Sequence, residues 1–415
     1  MPRSTTADTS GELPSPPAAA PAASRAIYLD NHATTPTDPR VAAVVLRYMV
    51  DEYGNASSVD HAFGEAGAAA VDVAVEEVAT LVGASHRAVT FVSGATEALN
   101  LALVGFTRAR RAVFRRTGHG RLVRVGATPV EHPAVLDVLR HLVATREVSV
   151  RWLRVDRHGL LDLEAFAGAC ACGLDLACVM AANNEVGTLA PLAEAAAIAR
   201  NAGVRFLSDA TQAVGKIPLA AEEWGIDLLA LSAHKFYGPK GIGALVAHPD
   251  VPLEPLFYGG GHQRGLRSGT LPVPLIAGLG EAARLRRLEM CSDEARIASM
   301  RDALEEQLTR GIQGLTVNGS PAHRLAGNLH VSVPDVPSSV IIAHLGGRVA
   351  VARGSACASS IDAPSHVLQA LGLPDDVVRG ALRIGVGKFN TLGEVQVAGE
   401  LLTTAVHRAR AATSA

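Results

Sequence analysis

At 415 residues, with hydrophobic side chains at 48% and charged ones at 19%, the chain has the composition of a folded protein with a large core, enough for about two to three domains. A formal net charge of −2 without any long basic run gives no reason to expect nucleic acid or an anionic membrane surface as a partner. No uninterrupted apolar stretch reaches the roughly 18 residues that a membrane span needs.

Residues 1–25 read as a disordered leader, rich in Pro, Ala, Ser and Thr and interrupted by Asp8 and Glu12. They have neither the apolar centre of a secretory signal nor the arginine-rich, acid-poor pattern of a transit peptide. Order is expected from Ile27–Leu29, a short strand running into DNHATTPTDPRV, with a helix over Val41–Met49. The turn-rich YGNASSVDHAFG then leads to a helix over Glu65–Val82. Strands and helices alternate from there: strand Ala88–Val92, helix Thr96–Phe106, strand Leu122–Val125, helix Pro133–Ala144, strand Val148–Val155, strand Leu176–Ala181, helix Leu192–Asn201 and strand Arg205–Ser208. Strands Ile226–Leu231 and Ala244–Ala247 follow. Such alternation predicts an α/β fold, a mostly parallel sheet with helices on both faces and function at the carboxyl ends of the strands. Beyond Leu279 a charged helix reaching Gly311 opens a more mixed α+β segment: strands Leu315–Val317, Asn328–Val333, Val349–Ala352 and Ala381–Val386, helices Ser338–Leu345 and Ser365–Leu371, and a final helix from Leu392.

The chemistry centres on SAHKFYGPKGIG, residues 232–243, where Lys235 sits on a short loop between two buried strands. An amine in partly desolvated surroundings has a lowered pKa and can attack an aldehyde, which is how a lysine carries pyridoxal phosphate. The sequence contains four lysines, Lys216, Lys235, Lys240 and Lys388, so a Schiff-base enzyme has to use one of them. The GPKGIG run lacks the ending of a P-loop. In VTFVSGATEALN the turn before Thr96 suits a phosphate at a helix N-terminus, and a plain capped helix explains it equally well. His132 in EHPAV stands past a strand end, where an imidazole could stack on a ring, move a proton as a catalytic group, or hold structure. In NNEVG, Asn183, Asn184 and Glu185 face either a ligand or a turn. Asp209 in FLSDATQAVGK could face a pyridinium nitrogen or cap a helix, and Gln212 follows it. The loop GGGHQRGLRSGT could approach an anion or simply turn. Arg383 in LRIGVG needs an anion, from a substrate carboxylate or a structural pair. Cys357, among small residues in RGSACASS, is expected on an exposed, mobile loop as a reactive thiolate. The five cysteines (Cys170, Cys172, Cys178, Cys291, Cys357) are an odd number, which suggests reduced thiols in a cytoplasmic setting. Their spacing offers no zinc site.

From Tyr28 to the last helix the chain resembles the cysteine desulfurases of the class V aminotransferase family. The resemblance is carried by DNHATTPTDPRV, YGNASS, FVSGATEALN, EHPAV, NNEVG, DATQAVGK, SAHKFYGPKGIG, GGGHQRGLRSGT, GSACASS with PSHVLQALG, and LRIGVG, in that order. It implies a type I pyridoxal-phosphate transferase fold, with a seven-stranded large domain over residues 46–291 and a small domain over residues 26–45 and 292–415. It also implies a homodimer with sites at the subunit interface. Lys235 would anchor the cofactor, Asp209 would pair with its ring nitrogen, Gln212 with its phenolic oxygen, and His132 would stack on the ring. Ala95, Thr96, Ser232 and His234 would hold the phosphate with Thr270 of the other subunit. Asn184 and Arg383 would bind the carboxylate of L-cysteine, and Cys357 would take its sulfur as a persulfide for an acceptor protein of an iron-sulfur or thiolation pathway. Three departures from the family pattern are Leu207, two residues before the aspartate, GKFNT at 387–391, and the absence of a longer acidic and histidine tail. The last two leave the acceptor open. Transamination, selenocysteine cleavage and a catalytically silent binding role are the alternative readings.

Overall fold

The structure, a computed structural model, describes residues 26–353 and 364–413, so Cys357 lies outside the described residues. Its larger sheet has seven strands, in the order Val89–Val92, Gly243–Ala247, Leu228–Ser232, Arg205–Asp209, Leu176–Cys178, Val123–Ala127, Val148–Trp152. Gly243–Ala247 runs antiparallel to both neighbours, and every other pairing is parallel. The central strands are mostly buried because helices cover both faces, and Leu228–Ser232 is buried at every position. On one face pack helices Ala62–Val82, Leu163–Ala171 and Leu192–Asn201, and on the other Ala95–Asn100, Phe106–Arg116 and Pro133–Ala144.

The antiparallel strand matters for the site because it returns beside Leu228–Ser232 and carries Gly243 against the turn at Gly94. A Cβ at Gly243 would lie 2.4 Å from the Leu231 carbonyl oxygen and 2.8 Å from Gly94 Cα. Only glycine lets the lysine loop and the Ser93-Gly94 turn approach this closely.

A second core is built on a four-stranded antiparallel sheet in the order Ala352–Arg353, Ala381–Gly385, Asn328–Ser332, Thr316–Val317, covered by Ser338–Leu345 and Leu392–Thr413. The single strand expected over Val349–Ala352 is two. Val349–Ala350 pairs in parallel with Ile27–Tyr28, and the chain then changes sheets to pair Ala352–Arg353 with the strand of Arg383. The helix expected over Thr96–Phe106 runs on as a π-turn over Leu101–Gly105 and then as far as Arg116. No helix among the described residues is long and apolar enough to cross a membrane.

The 39-residue helix Val273–Gly311 passes through both cores, giving Ile276, Leu279, Ala282 and Leu285 to the first and Ile297, Met300, Leu304 and Leu308 to the second. Between these sets Arg286 is 1% exposed, donating to the Gly215 carbonyl (2.7 Å), Asp293 (2.6 Å) and Glu294 (2.8 Å). Removing one partner from a buried ionic cluster leaves charge unpaired, so Arg286→Met is expected to cost about 3–5 kcal/mol in urea unfolding.

Candidate active site

A cleft of about 540 Å³ opens at the carboxyl ends of the large sheet, and Lys235, Asp209, Gln212, Ser232, His234, Ala95, Thr96, His132, Asn184 and Arg383 all line it. Each is delivered by a local feature. Asp209 is the last residue of its strand, and Ser232 ends the next, after which a 3-10 turn over Ala233–Lys235 projects the lysine. His132 caps helix Pro133–Ala144, its Nδ1 accepting from Ala134 N at 3.1 Å. Helix Ala95–Asn100 starts from Gly94 without a side-chain cap, which leaves its first N–H groups for the cleft.

The segment DNHATTP is clasped against the lysine loop. Lys235 Nζ donates to the carbonyls of His32 and Ala33, both at 2.7 Å. Thr35 Oγ1 donates to the His234 carbonyl (3.0 Å) and accepts from Tyr237 N (2.8 Å), and Thr34 Oγ1 lies 3.1 Å from His234 Nδ1. Burial, with Lys235 beside it, lowers His234 to about 4, so this ring is neutral. His132 is lowered by burial as well, with Asp209 acting in the opposite direction.

Of the other lysines, Lys240 is exposed and also lines the cleft. Lys388 is bound to Asp38 (2.8 Å) and Glu289 (2.6 Å), joining the two cores. Lys216 is half-buried behind Gln212, and desolvation lowers its amine.

Arg383 meets its anion inside the protein. Its Nη2 lies 2.9 Å from Asp30 Oδ1, its Nη1 donates to the Asn184 carbonyl at 3.0 Å, and its buried Nε has no partner among the described residues. Asn183 fixes the turn instead of facing the cleft, accepting from Glu185 N (2.9 Å) and Val186 N (3.0 Å). The loop GGGHQRGLRSGT is tied to the sheet edge and to helix Ala95–Asn100. Gln263 both accepts from Phe91 N (2.6 Å) and donates to Phe91 O (2.8 Å), and Arg267 pairs with Glu97 at 3.0 Å. Thr270 is exposed and outside the cleft of its own chain.

The sequence offers no signal for Asp30, His32 or Glu131, and Glu185, expected to face a ligand or a turn, is absent from the cleft lining. Ser365 Oγ donates to Glu185 Oε2 at 2.5 Å and His366 Nε2 lies 3.0 Å from the Glu131 carbonyl, so both carboxylate-bearing residues hold the chain just after residues 354–363. Glu131 is buried, accepting at Oε1 from Thr128 Oγ1 (2.7 Å) and Met180 N (2.8 Å). Burial pushes its carboxyl up to about 8, against about 4.3 in an unfolded chain. The folded state therefore keeps a proton that the unfolded chain has lost. This group's contribution is complete below about pH 4 and disappears as pH rises through its folded value. Glu131→Gln is expected to be more stable than the parent at about pH 8 and no more stable at about pH 4, measured by urea unfolding at both.

The sheet, the cleft at its carboxyl edge and the loop lysine define an enzyme of the type I pyridoxal-phosphate transferase fold. Residues 27–397 match the aminotransferase class-V family, and the chain belongs to it. A protein named cysteine desulfurase IscS, from Anaeromyxobacter dehalogenans (strain 2CP-C), is 44% identical over 386 residues, which is 92% of this chain and 93% of that one. A solved NifS-like protein superposes with a TM-score of 0.82 at 32% identity, covering 92% of this chain and 99% of its own. SspA, solved in complex with cysteine, superposes with a TM-score of 0.75 at 28% identity over 88% of this chain and all of that one.

Proposed function

We propose that the protein is a pyridoxal-phosphate-dependent cysteine desulfurase that converts L-cysteine to L-alanine and passes the sulfur through Cys357 to an acceptor protein. The observation that carries the reading is the convergence of Lys235, Asp209, Gln212, His132 and Arg383 on one cleft. The polar groups there suit that cofactor. Asp209 Oδ1 accepts from Thr211 N at 3.0 Å, which leaves its second oxygen for a ring N–H. The buried Thr211 hydroxyl has no partner among the described residues. Ser232, His234, Thr96 and the free N–H groups at Ala95 and Thr96 offer an uncapped helix start to a phosphate.

When bound, the cofactor supplies an electron sink for the α-carbon of the amino acid. Asp209 would pair with the ring nitrogen and favour its protonated form, and His132 would cover the ring. Asn184 and Arg383 orient the substrate carboxylate, with the unpartnered Nε as the available donor. Lys235, whose amine is directed into the cleft, would take the α-proton. The Cys357 thiolate would attack the substrate sulfur: an S–S bond forms, the substrate's C–S bond breaks, Cβ takes up a proton and Lys235 returns one to Cα, leaving alanine and an enzyme persulfide. Support for Cys357 reaching the cleft comes from its neighbours in sequence. Ala352 is paired with Arg383 itself, and the four residues from Arg353 to Cys357 can span up to about 14 Å.

A homodimer is part of the proposal, with Thr270 serving the partner's cleft. Supporting it are the exposure of Thr270 and an apolar surface that includes Tyr53 and Phe63, stacked at 5.6 Å. We place the enzyme in the cytoplasm, with an iron-sulfur or thiolation pathway protein as acceptor. The test is a single turnover with L-cysteine and no added thiol: one alanine and one persulfide per subunit are expected. Formation of a keto acid with transfer of the amino group to the cofactor would overturn the reading. Labelled persulfide enzyme offered to candidate acceptors identifies the partner by which one removes the label.

A further inference from the structure

The orientation of the Gln212 side chain is decided by the His32 carbonyl, which can only accept and lies 2.8 Å from Gln212 Nε2. Exchanging the amide oxygen and nitrogen would set acceptor against acceptor there. Lys216 Nζ donates to Gln212 Oε1 at 2.9 Å. His32 Nδ1 lies 3.2 Å from the same Oε1, so this ring nitrogen carries a proton and donates. Burial keeps the ring neutral. Both lone pairs of the amide oxygen are therefore engaged, and one amide N–H is given to His32. The second N–H has no acceptor among the described residues, and Gln212 lines the cleft.

His32 is itself held firmly. Its carbonyl also accepts from Lys235 Nζ at 2.7 Å, and a Cβ added at Gly385 would lie 2.9 Å from its ring Cδ2. One residue thus touches the lysine, the glutamine and the strand that carries Arg383.

We propose that His32 and Lys216 are positioning residues that lock Gln212 as an obligate donor, with its remaining amide N–H turned to the cleft and fitted to an anionic oxygen on the bound cofactor ring. An unrestrained glutamine could turn either end of its amide to the ligand and would lose side-chain freedom on binding. Here that ordering is already complete in the protein. The inference rests on the functional reading above, because the ligand is the pyridoxal ring oxygen.

The test is a double-mutant cycle in the full-length enzyme, made from His32→Leu, Gln212→Leu and the pair, with His32→Asn as the conservative variant. Asn places an amide N–H close to where Nδ1 stands. Two quantities are read: the dissociation constant of pyridoxal phosphate from titration of the apoprotein, and the wavelength of its visible band. His32→Leu is expected to weaken binding about five- to tenfold, the size of one lost hydrogen bond, and to move the band. His32→Asn should come within about twofold of the parent in affinity and restore the band. Without the Gln212 side chain, His32→Leu should change affinity by less than about twofold. An additive cycle, or an Asn variant no better than Leu, overturns the proposal. If the His32 variants do not fold, Lys216→Met enters the same cycle and decides by the same criterion. A parent apoprotein that takes up no pyridoxal phosphate removes the functional reading and this inference with it. Uptake with an additive cycle removes only the inference.

Discussion

Cys357→Ala is expected to abolish alanine formation from L-cysteine, by on the order of 10⁴-fold or more, while leaving the cofactor's visible band in place. The two readouts separate because binding and chemistry lie on different parts of the chain. The groups proposed to hold the cofactor belong to the large sheet and its loops, all of them upstream of Arg353. Cys357 is reached only after the chain leaves strand Ala352–Arg353, and the chain is tied down again where Ser365 meets Glu185 and His366 meets Glu131. Substrate still binds in the variant and the α-proton still exchanges, so deuterium should enter the α-position of recovered cysteine. Alanine formed at the parental rate would remove Cys357 from the reaction.

Lys235→Ala is expected to lower turnover by at least about 10³-fold, the scale of losing a positioned acid-base group, and to release the cofactor during gel filtration. Borohydride reduction of the parent followed by peptide mapping should mark Lys235. The alternatives are distinguishable by position. Lys388 is bound between Asp38 and Glu289, Lys216 lies behind Gln212, and Lys240 is exposed at the rim. A mark on Lys240 would show that the loop presents its second lysine instead, and the role given to Lys235 would fall.

The strand-helix alternation was legible because its signals are local: apolar runs of strand length, Pro at the first turn of Pro133–Ala144, Gly after helix ends. Helices Pro133–Ala144, Leu192–Asn201 and Ser338–Leu345 lie where the sequence predicts them. Helix Leu163–Ala171 shows in the sequence only at its end, near Cys170, because its Ala, Gly and Cys content gives little periodicity and its start depends on Asp162 capping Ala165 N. The sheet change between Ala350 and Ala352 is invisible in a run that reads as one strand, since what divides it is which partner each half finds. The cleft residues were legible as motifs and ambiguous as chemistry. Arg383 is paired with Asp30, as its structural reading has it, and it also lines the cleft. His32 lies in the turn after strand Ile27–Tyr28, where no periodic pattern marks it, and its importance follows only from Gln212 and Lys216 arriving from residues far along the chain.

The helix Val273–Gly311 acts as a common axle for two bodies that otherwise share a seam at the cleft. Lys235 is borne by one body and Arg383 by the other, so the gap between anchor and clamp is gauged by the stiffness of that axle and of the Arg286 rivet at its midpoint. Loosening the rivet should therefore blunt the enzyme's grip on short amino acids before it unfolds either half.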